Sequence, residues 1–195
     1  MLRLTAIIGT VAEELESNKP AEPRTSKPES EVARDLRFMR RALEEASKAA
    51  QAGEVPIGAV VAKGGKILAV AHNERETTKD PTAHAELLAL RRAAAQTKSW
   101  RLTGCTLYTT LEPCPMCAGA LHAARISRLV YAAPDPKAGA AGTLYDLPAD
   151  SRFNHTFPTK SGLFETEAAA LLRNFFQRRR RISTRKVSHN RRPKD

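Results

Sequence analysis

Ile57-Gly-Ala-Val-Val-Ala-Lys-Gly-Gly-Lys-Ile-Leu-Ala-Val-Ala71 is the stretch on which the fold turns. Two short apolar runs, 57–62 and 66–71, flank Gly64-Gly65, a pair suited to the positive φ angles of a tight hairpin turn. Both runs are apolar at adjacent as well as alternate positions. A strand with one wet face alternates, whereas a strand covered on both sides has no need to. The stretch therefore predicts an α/β fold in which helices cover both faces of a sheet, a three-layer α/β/α sandwich.

Working outward, Leu36, Met39, Leu43, Ala46 and Ala50 fall at helical spacing, and Gly53 ends the run. Asp80-Pro81 reads as an N-cap and first helical position, opening a helix to about Gln96. A strand at about Thr106–Thr110 leads into a helix opened by Pro113 and Pro115. Arg128–Ala132 reads as another strand. A last helix is expected from Glu165 to about Arg181, with Leu171, Leu172, Phe175 and Phe176 as its apolar stripe. No internal repeat is found.

Chemistry-bearing residues sit where these helices begin. His84-Ala85-Glu86 lies in the first turns of one, and Pro113-Cys114-Pro115-Met116-Cys117 opens the next. One imidazole and two thiolates are three good zinc ligands, and three protein ligands with an open fourth position characterise a catalytic zinc. Glu86 stands beside that set as an acid/base. Alone, Cys114-x-x-Cys117 is also compatible with a redox pair or half of a zinc ribbon. A redox pair leaves His84 and Glu86 unexplained, and a ribbon needs a second C-x-x-C, which three cysteines do not supply. The third, Cys105, lies in an apolar run and reads as a buried small hydrophobe.

The 195 residues suggest one domain with extra tails. Residues 1–31, containing Pro20, Pro23 and Pro28 among Glu, Ser and Lys, read as a disordered N-terminal extension. The folded domain is expected over 32–181, and 182–195 as a basic flexible tail. Few cysteines and no secretory or membrane-length apolar run suggest a reducing, cytoplasmic setting without a membrane. The net charge of +11 is uneven. Residues 1–31 carry a net −2, whereas residues 173–195 carry ten basic side chains against one acidic. A basic footprint at one end suggests a polyanion, nucleic acid before membrane.

The motifs resemble those of the cytidine deaminase-like superfamily, whose signature pairs H-x-E with P-C-x-x-C. Within it the chain is similar to the TadA-like tRNA-specific adenosine deaminases. The matching segments are Val55-Pro-Ile-Gly-Ala-Val60, Asp80-Pro-Thr-Ala-His-Ala-Glu86, Thr110-Leu-Glu-Pro-Cys-Pro-Met-Cys-Ala-Gly119, Lys137-Ala-Gly-Ala-Ala-Gly142, Asn154-His155 and Ala168–Phe176 with the arginines after it. The resemblance covers about Asp35 to Arg181.

It implies a five-stranded mixed sheet, a homodimer and one Zn2+ per subunit held by His84, Cys114 and Cys117. The implied reaction is hydrolytic deamination of adenosine to inosine at the tRNA wobble position, arginine tRNA first. Glu86 would take a proton from water and deliver it to N1 as oxygen adds at C6, then protonate the departing amine. Asn73, Val55 and the Ala85 N–H would meet the nucleoside, while Asp135 and Asn154 would touch the surrounding RNA. Phe175, Phe176, Arg178, Arg179 and Arg180 would meet the anticodon arm. The chain departs from the family pattern at Pro134, where a basic residue is expected before Asp135. Two other readings are a deaminase of free cytosine or guanine and a non-catalytic, zinc-stabilised RNA-binding subunit.

Overall fold

In a computed structural model, residues 29–189 are described. The expected N-terminal extension therefore lies almost wholly outside the described residues, as do the last six positions of the tail. Helix α1, Glu31–Gln51, precedes strands β1, Gly58–Lys63, and β2, Lys66–His72. A single helical turn, α2, Arg75–Thr78, leads to helix α3, Ala85–Thr97. Strand β3, Cys105–Leu111, is followed by helix α4, Pro115–Ala123, and strand β4, Arg128–Ala133. Strand β5, Thr159–Lys160, and helix α5, Glu165–His189, close the chain.

The five strands form one mixed sheet in the order β2-β1-β3-β4-β5. β1 is antiparallel to β2 and β3, whereas β3, β4 and β5 run parallel. Lys63 pairs with Lys66 across Gly64 and Gly65, whose φ angles are 55° and 77°. This is the two-residue turn expected of Gly-Gly.

Neighbouring residues of each strand enter different cores. Ala59, Val61, Leu107, Leu129 and Tyr131 join α3 residues Ala85, Ala89, Leu90 and Ala93 and α4 residue Leu121. Val60, Ala62, Tyr108, Val130 and Ala132 join Phe38, Met39 and Ala42 of α1 and Ala168 of α5. The sheet is covered on both faces, and its strands are apolar at consecutive positions for that reason. β1 lies so close to α1 that a Cβ on Gly58 would collide with Ala42 O and Ala46 N. Only glycine permits that approach.

Three expectations need correction. The inward face of α1 is Phe38, Met39, Ala42, Ala46 and Ala49 with Asp35 and Glu45, rather than a stripe through Leu36, Leu43 and Ala50, which stay half-buried. Asp35 can sit inside because Arg128, Lys160 and Tyr108 all donate to its carboxylate. Asp80-Pro81 closes a single turn, with Ala83 N donating to Asp80 O and Thr82 N to Asp80 Oδ1. His84 is then extended, and α3 begins only at Ala85. Helix α5 also runs eight residues past Arg181, to His189. No glycine or proline interrupts the chain between Gly162 and Pro193, so nothing local stops it.

Candidate active site

Two helix N-termini meet at the site. His84 is the N-cap of α3 and Cys114 the N-cap of α4, both with extended backbone and neither using its side chain as a cap. Pro115 at the start of α4 matches the preference for proline where a helix N–H has no partner. Cys117 then falls in the first turn, facing the same way as Cys114. His84 Nδ1 lies 3.7 Å from Cys114 Sγ and 3.5 Å from Cys117 Sγ. In a tetrahedral zinc site, bonds of about 2.1 Å to nitrogen and about 2.3 Å to sulfur put those atoms about 3.6 Å apart. The three ligand atoms all lie within 4.8 Å of one another. The group could hold a metal ion.

Electrostatics fits the same purpose. The hydrogen bond from Cys117 draws the Cys114 thiol down to about 4 against its burial, and His84 adds to the pull. That bond, with burial, drives Cys117 up. The two sulfurs share a proton that a divalent cation would displace. The bond to Cys114, outweighing burial, raises His84. Helix N-termini stabilise the thiolate further.

Glu86 sits in the first turn of α3, 3% exposed, with its Oε2 buried and lacking a hydrogen-bond partner. Burial pushes its carboxyl up to about 7, against the pull of its own backbone N–H and His84. A carboxyl that exchanges a proton near neutrality, beside a metal-ligand set, can act as both acid and base.

The surrounding walls hold other expected residues. Asn73 follows β2, is 2% exposed, and its N–H donates to Ile57 O beside half-buried Val55. Glu74 N donates to Ala83 O, which ties this wall to the approach to His84, and Ala85 is fully buried. Asp135 lies in the loop whose Ala140 N donates to Pro113 O next to Cys114.

Asn154 is not brought to the cluster. Its Oδ1 accepts from Arg125, just past the C-terminal end of α4. The nine-residue helix spans about 13 Å. On α5, Phe175 is 8% exposed, with Phe176 edge-on to it and Arg179 over its ring. It is largely buried, while Phe176 remains 43% exposed. Arg178, Arg179 and Arg180 are all exposed.

Sequence reasoning assigned nothing to two buried carboxylates beside the site. Glu54 accepts from Thr77 N and Oγ1, joining the Val55 segment to α2. Glu112 accepts from the loop after β4. Their donors lie more than twenty residues away, so no local pattern marks them.

A MafB19-like deaminase family model matches residues 33–180. The tRNA-specific adenosine deaminase of Bacillus subtilis (strain 168) is 47% identical over 150 residues, spanning 77% of this chain and 93% of that relative. The chain belongs to the tRNA-specific adenosine deaminase family. A solved structure from a study of A-to-I editing by tRNA:A34 deaminases at the wobble position superposes with a TM-score of 0.68 and 43% identity. It covers 70% of this chain and 99% of that one. The guanine deaminase from Nitrosomonas europaea shares the fold at a TM-score of 0.63 and 27% identity, over 80% of this deaminase and 88% of that chain.

Proposed function

We propose that this chain hydrolytically deaminates adenosine to inosine at the wobble position of a tRNA, arginine tRNA first. The observation that carries the reaction type is the buried Glu86 carboxyl, one oxygen of which has no hydrogen-bond partner, beside the His84, Cys114 and Cys117 group. His84 Nδ1 and the two sulfurs would hold Zn2+, one per subunit. Zinc supplies Lewis acidity that brings the pKa of water to about 7 in hydrolytic sites. Glu86 accepts the proton of the attacking water and delivers it to N1 of adenine as oxygen adds to C6. It then takes the second proton from the hydroxyl added at C6 and passes it to the departing amine, and ammonia leaves hypoxanthine behind. Asn73, Val55 and the Ala85 N–H line the nucleoside side of the pocket. Asp135 and Asn154 meet the flanking RNA, Asn154 from farther out than the other groups.

The exposed arginines favour RNA over a free base. Arg179 Nη1 lies 3.9 Å from Glu76 Oε1, so the row Arg178-Arg179-Arg180 passes beside α2, the turn that follows Asn73. Both side chains of that pair are more than half exposed, and such a contact is easily exchanged for phosphate. Phe176 supplies an exposed ring for stacking. The enzyme acts as a homodimer, a reading supported by Leu144, Tyr145 and Phe153, exposed apolar side chains in neighbouring loops. No helix among the described residues is long and apolar enough to cross a membrane. We place the protein in the cytoplasm, with its tRNA.

Incubating the protein with an arginine anticodon stem-loop, free guanine and free cytidine tests the reading. Sequencing should reveal conversion of the wobble adenosine to inosine. Turnover of the free compounds alone would refute it.

A further inference from the structure

Glu112 stands between the last residue of β3 and the Pro113-Cys114 step, and is 2% exposed. Its carboxylate receives four donors. Ala141 N and Thr143 N bond Oε1 at 2.9 and 3.0 Å, Asp135 N bonds Oε2 at 3.0 Å, and the Thr143 hydroxyl bonds Oε2 as well. A carboxylate offers about four lone-pair sites, so its accepting capacity is full. That leaves no free lone pair for proton transfer and rules Glu112 out as a second general base. No ion pair with Glu112 occurs among the described residues. Its charge is met by N–H and O–H groups of one loop alone.

The fit is close. A Cβ on Gly139 would run into the Glu112 carboxylate and Asp135 O. Glu112 N donates to Ala133 O and Pro113 O accepts from Ala140 N, so the loop is bonded on both sides of the carboxylate. Pro134 and Pro136 restrict the backbone on either side of Asp135. The Asp135 carboxylate turns back to accept from Lys137 N. The backbone that leads to Cys114 thereby sets the shape of this loop.

We propose that Glu112 is a positioning residue: its carboxylate holds the Asp135–Thr143 loop in the one shape that presents Asp135 to the RNA beside the reacting adenosine. The proposal rests on the deaminase reading above. A glutamine here keeps the size but turns an NH2 group toward at least one N–H donor, so at least one of the four bonds is lost.

The test compares wild type, Glu112→Gln and Thr143→Ala, the last removing one hydroxyl donor at an exposed residue. Hydrogen exchange at Asp135, Ala141 and Thr143 should accelerate in Glu112→Gln, with metal content unchanged. On an anticodon stem-loop, KM should rise so that kcat/KM falls about ten- to hundredfold, the scale set by misplacement of about 1 Å. Thr143→Ala should change both in the same direction by less. Unchanged exchange in both variants overturns the proposal. So does faster exchange with unaltered KM, which would make Glu112 a stabilising residue only, or a fall in kcat with KM constant, which would place its effect on the metal cluster. Wild type inert toward the stem-loop would overturn the deaminase reading itself and this role with it, a result visible before any substitution is made.

Discussion

Glu86 holds a carboxyl group where burial disfavours its charge and one oxygen finds no protein donor. An unsatisfied buried acceptor costs about 1–3 kcal/mol. A carboxyl in that setting suits proton transfer. Glu86→Ala should retain metal, measured by atomic absorption, and bind the stem-loop normally, while inosine formation falls by about 10²–10⁴-fold. Undiminished turnover in that variant would sink the mechanism. His84, Glu86, Cys114 and Cys117 were legible in the sequence because imidazole, carboxyl and thiol are scarce groups whose types and spacing already restrict the chemistry. Glu112 and Glu54 were not. Their partners are mostly backbone N–H groups, which every residue but proline carries, so no residue type advertises the bond.

At the scale of elements, Asp35 welds helix α1 to the sheet. Arg128 bonds it at 2.8 and 2.9 Å, Lys160 at 3.0 Å and Tyr108 at 2.9 Å, which ties α1 to β3, β4 and β5. Burial by itself would raise the Asp35 carboxyl, but the donors from Arg128, Lys160 and Tyr108 outweigh it and hold the group at about 2. The folded value lies below the ordinary one. Its stabilisation is therefore complete above about pH 4 and disappears as pH falls toward 2. The contribution is about 2 kcal/mol. Urea unfolding of wild type and Asp35→Asn should differ by about that much at pH 5, and the gap should narrow toward pH 2. A gap independent of pH would show that the carboxylate's charge is not what matters. Periodicity missed this residue because an aspartate on an apolar face reads as solvent-facing until its cations, 93 and 125 residues away, are in place. The start of α3 was misread for a related reason. Asp80-Pro81 does nucleate a turn, but extended His84 interrupts it.

For the whole molecule, one end of the sheet gathers the metal-ligand group while the arginines of α5 pass beside α2 on the Asn73 side. Charge placed there should make RNA binding salt-dependent through counterion release. Replacing Arg178, Arg179 and Arg180 together with Gln should weaken stem-loop binding and lower the slope of log K against log salt by about 2, at about 0.7 per single-stranded phosphate contact. An unchanged slope would mean that the row is a solvated surface. The sequence by itself determined the three-layer class, the hairpin, the grouping of His84 with Cys114 and Cys117 and the basic end, because apolar patterning, glycine pairs, scarce reactive groups and charge are local properties of the chain. Only the tertiary structure decided which phenylalanine is free to stack, which carboxylates hold the walls, and that Asn154 stands apart from the metal group. Those outcomes depend on which distant backbone groups and side chains packing brings within about 3 Å of one another, and hydrogen bonds act only at that range.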